Sequence, residues 1–154
     1  MQTTIQVFDG LQELEDAVGT HLGYSDWHLV TQEEIDLFAE ATGDHQWIHV
    51  DREKAKEGPF GRTIAHGFLT LSFVPMFAAD VYRVGGVKMG LNYGCNKVRL
   101  TSPVPVDSRI RGGVEIVSLE PRAGGATLTT RVTITCEGAE KPSCIAEMLV
   151  LLFP

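Results

Sequence analysis

Ala65-His66-Gly67-Phe68-Leu69-Thr70-Leu71-Ser72-Phe73-Val74-Pro75-Met76-Phe77-Ala78-Ala79-Asp80-Val81 leaves almost no polar face when wound as a helix. A helix apolar nearly all round must be buried on most sides. Pro75 lacks an N–H, so it bends this helix or costs it one local hydrogen bond. The C-terminal half of the chain has a different period. In Thr127–Cys136, Leu128, Val132, Ile134 and Cys136 share one face, opposite Arg131, Thr133 and Thr135. That alternation is a half-buried antiparallel strand. Residues 145–153 read as a second strand, and 87–100 and 109–119 as two more. Pro103-Val104-Pro105, the segment 121–125 and the glycine pairs at 85–86, 112–113 and 124–125 mark turns or bulges between them. An apolar helix succeeded by several antiparallel strands implies an α+β domain whose sheet wraps the helix. One layer of sheet covers one side only, so the sheet must curl or a partner must cover the rest. A homodimer is expected on that ground.

Upstream of the helix, residues 8–18 place Phe8, Leu11, Leu14 and Val18 near helical spacing, with Asp9 as a cap and Gly19 as the stop. Trp27–Val30 reads as a short strand. Thr31 and Glu34 then form a capping box, Ile35, Phe38 and Ala39 make an inward stripe, and Gly43 terminates the helix. Asp51 caps a short polar helix over 52–57, closed by Gly58 and Pro59.

The 154 residues fit one domain over 1–154, and 44% apolar content fills a sizeable core. A formal charge of −7 argues against non-specific binding to nucleic acid or anionic membrane. A local patch of Lys97, Arg99, Arg109 and Arg111 still offers a place for an anionic ligand. Cys95, Cys136 and Cys144 cannot all pair within the chain and match no zinc spacing, so reduced thiols in a cytoplasmic protein are expected. The first residues show no leader pattern, and the apolar run 69–79 is too short to span a bilayer.

The chemistry concentrates in Ala41-Thr42-Gly43-Asp44-His45-Gln46-Trp47-Ile48-His49. It sets a carboxylate and an imidazole five residues apart, outside regular helix, just past a well-capped one, with Trp47 and Ile48 as anchors. The plainer reading makes Asp44 a turn former and His49 a core-edge hydrogen bonder. A metal held by His45, His49 and Asp44 or Asp51 is not expected. The His-x-x-x-His gap suits a helix, which Gly43 and the apolar Trp47-Ile48 argue against here. In Ala65-His66-Gly67, the Gly67 amide at a helix start lacks an intrahelical acceptor and suits a developing oxyanion. Equally, the glycine only lets a bulky helix pack near the loop while His66 braces it. No nucleophile elbow or phosphate loop is present.

The stretch Phe38 to His49, with Ala55 downstream, resembles the motif of the MaoC-like, R-specific enoyl-CoA hydratase family, which has the hot-dog fold. Phe60-Gly61-Arg62-Thr63-Ile64-Ala65-His66-Gly67-Phe68 resembles that family's entry to its central helix, and the likeness covers about 25–150. Gln46-Trp47 stands where the family usually has Asn-Pro. The resemblance implies that Asp44 and His49 are the catalytic pair and that the Gly67 amide holds the thioester oxygen. Gly43, Gln46 and His66 support them.

On the same ground, an acyl pocket is expected along Trp47, Phe60, Phe68 and Phe73, and contacts to the CoA phosphates from Arg99 or Arg109. Neither cofactor nor metal is implied, since the thioester already activates the alkene. The implied reaction is R-specific hydration of a trans-2-enoyl-CoA to the 3-hydroxyacyl-CoA, and its reverse. Two alternatives stand beside it: a hot-dog thioesterase, which releases free thiol, and a non-catalytic acyl-CoA or acyl-carrier binding module.

Overall fold

The computed structural model describes residues 3–154. Strand β1 (Gln6–Phe8) leads into α1 (Leu11–Asp16), β2 (His21–Tyr24), β3 (His28–Leu29) and α2 (Gln32–Thr42). Two short helices come next, α3 (Trp47–Val50) and α4 (Arg52–Lys56), then α5 (Gly67–Ser72) and α6 (Val74–Val81). The chain ends in β4 (Tyr82–Val84), β5 (Met89–Arg99), β6 (Arg109–Arg122), β7 (Gly125–Cys136) and β8 (Cys144–Phe153).

The sheet runs β2-β6-β7-β8-β5 with antiparallel neighbours, and β3 also pairs with β6. The period-2 pattern decides which face meets the helices. Leu128, Val132 and Ile134 of β7, Ala146 of β8 and Ile110, Val114 and Ile116 of β6 are buried with Val74, Phe77 and Val81 of α6. Phe77 is fully buried, a placement worth about 1.5–3 kcal/mol over leaving it in water. The helix reaches the sheet this closely because Gly112 has no side chain: a Cβ there would lie 2.8 Å from the Phe77 Cβ.

The capping box of α2 forms as its sequence predicts. The Glu34 N–H donates to Thr31 Oγ1 at 3.2 Å, and the Thr31 N–H donates to Glu34 Oε2 at 3.0 Å. Gly43 closes the helix with φ 80°, a left-handed conformation that costs glycine nothing. At α4, Asp51 Oδ1 accepts from the Lys54 N–H at 2.9 Å, again as expected.

Four expectations change. The single apolar helix is two, broken at Phe73, because Pro75 sits in the first turn of α6 and supplies no N–H. Nor is it buried on most sides: Phe68 is 71% exposed and Met76 also faces solvent, since one sheet covers one side only. The segment at His49 forms one turn of helix, α3, in which the Asp51 N–H donates to Trp47 O at 3.0 Å. Finally, Phe8 belongs to β1, which pairs in parallel with β4, and α1 begins after Gly10 with no side-chain cap from Asp9.

Candidate active site

Three elements carry the site: the α2–α3 turn, the segment leading into α5, and the stretch after β5. Pairings of the main chain tie them together. The Ile64 N–H donates to Ile48 O at 3.0 Å, and the Ala65 N–H to Val104 O at 2.8 Å. Gln32, buried on α2, adds a side-chain tie, donating from Nε2 to His49 O at 2.8 Å while its Oε1 accepts from the Thr63 hydroxyl.

His49 is buried, and its Nδ1 lies 2.7 Å from Ile64 O. A carbonyl only accepts, so Nδ1 carries the proton and Nε2 keeps a lone pair. His66 is equally buried, and its Nε2 donates to Asp44 O at 2.9 Å, while Nδ1 has no partner among the described residues. The two rings stack with centroids 4.0 Å apart and planes at 23°. Phe38 packs beside the second ring, its centroid 4.8 Å from that of His66. Asp44 itself is exposed, and its Oδ1 accepts from the Gln46 N–H at 3.3 Å.

Asp44, His49 and His66 each bring one polar atom within 4.8 Å of the others. Such a trio has the donor types of a metal site. Atoms this close can equally share one bound water. His45, weighed as a ligand from spacing, turns instead toward Glu40 at 3.6 Å. Burial lowers the His49 pKa from its ordinary 6.5; the bond to Ile64 opposes that, the His66 ring adds to it and the Asp44 carboxylate opposes it. The net effect favours the neutral base.

A cavity of about 160 Å³ opens beside His49 and Gly67, walled by Thr70, Leu100, Ser102 and Ser143 among others. The Gly67 N–H, first in α5, makes no hydrogen bond among the described residues. A Cβ at Gly67 would fall 2.3 Å from Leu100 Cδ1, so only glycine lets Leu100 pack this closely on the start of α5.

The structure thus brings Asp44, His49 and His66 together and sets Gly67 beside them, with Gly43 and Gln46 shaping the turn. The four aromatic residues expected around the acyl chain are not in this wall. Trp47 packs against Gly58 and under the Lys54 ammonium, and Phe60 and Phe68 are exposed. Phe73 packs on His28 and Phe77. Of the two arginines considered for phosphate, Arg109 is bound to Glu137 through Nε at 2.8 Å and again through Nη2. Arg99 lies on a separate cavity with Lys97 and Arg131.

Sequence reasoning missed Gln32 and Ser143. Gln32 was detectable as a polar residue three before Ile35 on the inward stripe of α2. Ser143, whose buried hydroxyl has no partner among the described residues, carried no local signal.

Residues 13–137 match the MaoC like domain family. The chain belongs to the MaoC-like dehydratase family. A 3-hydroxyacyl-thioester dehydratase Z of Mycobacterium tuberculosis is 50% identical to this MaoC-like domain over 147 residues, covering 95% of this chain and 97% of the relative. Nodulation protein N of Rhizobium leguminosarum bv. viciae is 42% identical over 145 residues, covering 92% and 90%. Among solved structures, a monoamine oxidase regulatory protein from Archaeoglobus superposes with TM-score 0.77 at 22% identity, over 98% of this chain and 99% of that one. The (R)-hydratase of A. caviae does so with TM-score 0.66 at 21% identity, over 88% and 98%. At those identities the superpositions speak for the hot-dog fold alone. The MaoC-like domain is an enzyme of the hydratase–dehydratase class. No helix among the described residues is long and apolar enough to cross a membrane.

Proposed function

We propose that this enzyme catalyses reversible, R-specific hydration of a trans-2-enoyl-CoA, with Asp44 and His49 sharing one water. The observation that carries this reading is the meeting of the Asp44 carboxylate with a His49 ring whose tautomer leaves Nε2 as acceptor. Water donates to both groups. As its oxygen bonds to the β carbon, one of the pair takes its proton and a proton is delivered to the α carbon from the same side. The π electrons shift toward the thioester oxygen, which the Gly67 N–H receives as negative charge grows. Dehydration of the 3-hydroxyacyl thioester retraces these steps. That is the direction named for the 50% identical relative from Mycobacterium tuberculosis.

No cofactor enters this scheme. The thioester withdraws electrons from the alkene, and the pair manages both protons. The cavity wall of Thr70, Leu100, Ser102 and Ser143 takes the place beside the reacting carbons. The test is hydration of crotonyl-CoA by wild type and by Asp44→Asn, with product chirality determined. Loss of the carboxylate is expected to slow turnover by about 10²-fold or more. An undiminished rate, or a product of S configuration, removes the proposal.

A further inference from the structure

Among the described residues Arg111 forms no ion pair. Alternation along β6 sends Gly112 toward Phe77 and Arg111 to the opposite, outer face of the sheet. There its guanidinium carbon lies 4.3 Å from the Tyr24 ring centroid and 4.6 Å from that of Trp27. Nε is buried without a hydrogen-bond partner among the described residues. Nη1 and Nη2 make no hydrogen bond among the described residues, and neither is wholly buried.

The clamp is fixed from behind. The Ser25 N–H donates to Gly112 O at 2.8 Å, and the Gly112 N–H donates to Ser25 Oγ at 2.9 Å. Ser25 is buried, so Tyr24 and Trp27 are held on either side of its anchor. A Cβ at Gly113 would lie 2.9 Å from Tyr24 Cε1, which shows how closely that ring lies on β6. Both rings remain partly open, Tyr24 at 46% and Trp27 at 38% exposure. Acids nearby in sequence or on the strand make their hydrogen bonds elsewhere. Asp26 accepts from the Thr3 N–H and hydroxyl, Glu137 binds Arg109, and Glu115 binds Arg131 at 3.0 Å. A chain with 20 acidic against 13 basic residues has carboxylates to spare, yet none among the described residues meets this fork.

We propose that Arg111, gripped between Tyr24 and Trp27, is an end-on binding site for a phosphate group. With two rings against the guanidinium, a ligand meets it along the edge they leave free, where two parallel N–H donors match two oxygens of a tetrahedral anion. Contact with both rings holds the fork in place before the ligand arrives, which lowers the entropy lost on binding. Free phosphate and the phosphate of a nucleotide handle share this chemistry. For the second, the open aromatic surfaces offer a place for the base to stack. The site does not depend on the hydration chemistry.

The experiment is a titration of the whole chain with inorganic phosphate, and separately with adenosine 3′,5′-bisphosphate, monitored by NMR. The reporters are the Arg111 Nε–H and the Trp27 indole N–H. Saturable shifts of both are expected in wild type, with the Trp27 shift lost in Arg111→Gln. In Arg111→Lys, which keeps the charge but not the fork, binding weakens by about ten-fold, the worth of one charge-assisted hydrogen bond. Tighter binding of the bisphosphate assigns the site to a nucleotide handle, and equal binding to free phosphate. Unmoved Arg111 and Trp27 signals in wild type overturn the proposal without reference to any variant. An equal Trp27 response in Arg111→Gln does the same.

Discussion

His49 shows how one buried ring ties stability to pH. Its pKa lies below the ordinary 6.5, because burial penalises the imidazolium more than the Ile64 carbonyl and the Asp44 carboxylate favour it. In the unfolded chain the ring returns to its ordinary value. Above about pH 6.5 it is neutral in both states and its contribution is intact. As pH falls from there through the lowered folded value, the unfolded chain binds the proton first and stability drops, by at most about 1.4 kcal/mol per pH unit for one proton. Urea unfolding at stepped pH should therefore show a decline below about pH 6.5 that is flatter in His49→Gln. Parallel slopes in the two proteins would refute the assignment. The same neutral ring serves the proposed chemistry, so the acid limb of kcat/KM should lie below the ordinary imidazole range. Asp44 and His49 were readable as a pair from a five-residue gap between a capped helix and an apolar anchor. Their convergence with His66 was not, because it rests on a hydrogen bond spanning 22 residues, from the His66 ring to Asp44 O.

At the scale of elements, the α2 capping box positions everything after it. Thr31 and Glu34 satisfy two amides at one end, Gly43 closes the other, and Asp44 leaves at a fixed angle. Thr31→Ala is expected to cost about 1 kcal/mol of stability, seen as a lower urea midpoint. Turnover at a permissive temperature should stay near wild type, because the Gln32 ties to His49 and Thr63 do not involve the Thr31 hydroxyl. A variant as stable as wild type would show that the box carries no net stabilisation. Capping signals and period-2 strands are local, which explains why α2, α4 and the four long strands were legible from the residues. Strands β1 and β4 were not: each is three residues long, too short to display a period, and each exists only through the other. The one-turn helix at His49 likewise has no repeat to detect. The wall of the cavity beside His49 was not legible either, because it is set by which segments meet rather than by residue type. Leu100, Ser102 and Ser143 reach it from the segments beside the end of β5 and the start of β8, far beyond Gly67 in the chain.

For the whole molecule, the unanswered surface is the outer edge of the sheet. Among the described residues β5 hydrogen-bonds to β8 on one side and to no strand on the other, and nearly all its residues are exposed. Met89, Leu91 and Tyr93 stand there, with Phe68 and Met76 on the neighbouring helices. A long apolar edge of this kind invites edge-to-edge pairing, and a monomer would ordinarily protect it with charge or proline. The inward stripe of α5 and α6 is already used by the sheet, so Phe68 and Met76 are left uncovered by the described residues. A second copy meeting β5 edge to edge, antiparallel about a two-fold axis, would pair the free backbone groups and cover both apolar patches with one contact. Sedimentation equilibrium should then report a dimer for wild type. The double variant Leu91→Lys, Tyr93→Lys should shift it to monomer, since like charges would oppose each other across the axis. The candidate site adds a second readout. The Gly67 cavity begins at Leu100, directly after β5, so separating the copies should also lower crotonyl-CoA turnover while urea unfolding of the monomer still shows a cooperative transition. Wild type sedimenting as a monomer, or a double variant that stays dimeric, would place the association elsewhere and leave Phe68 without the cover this arrangement gives it.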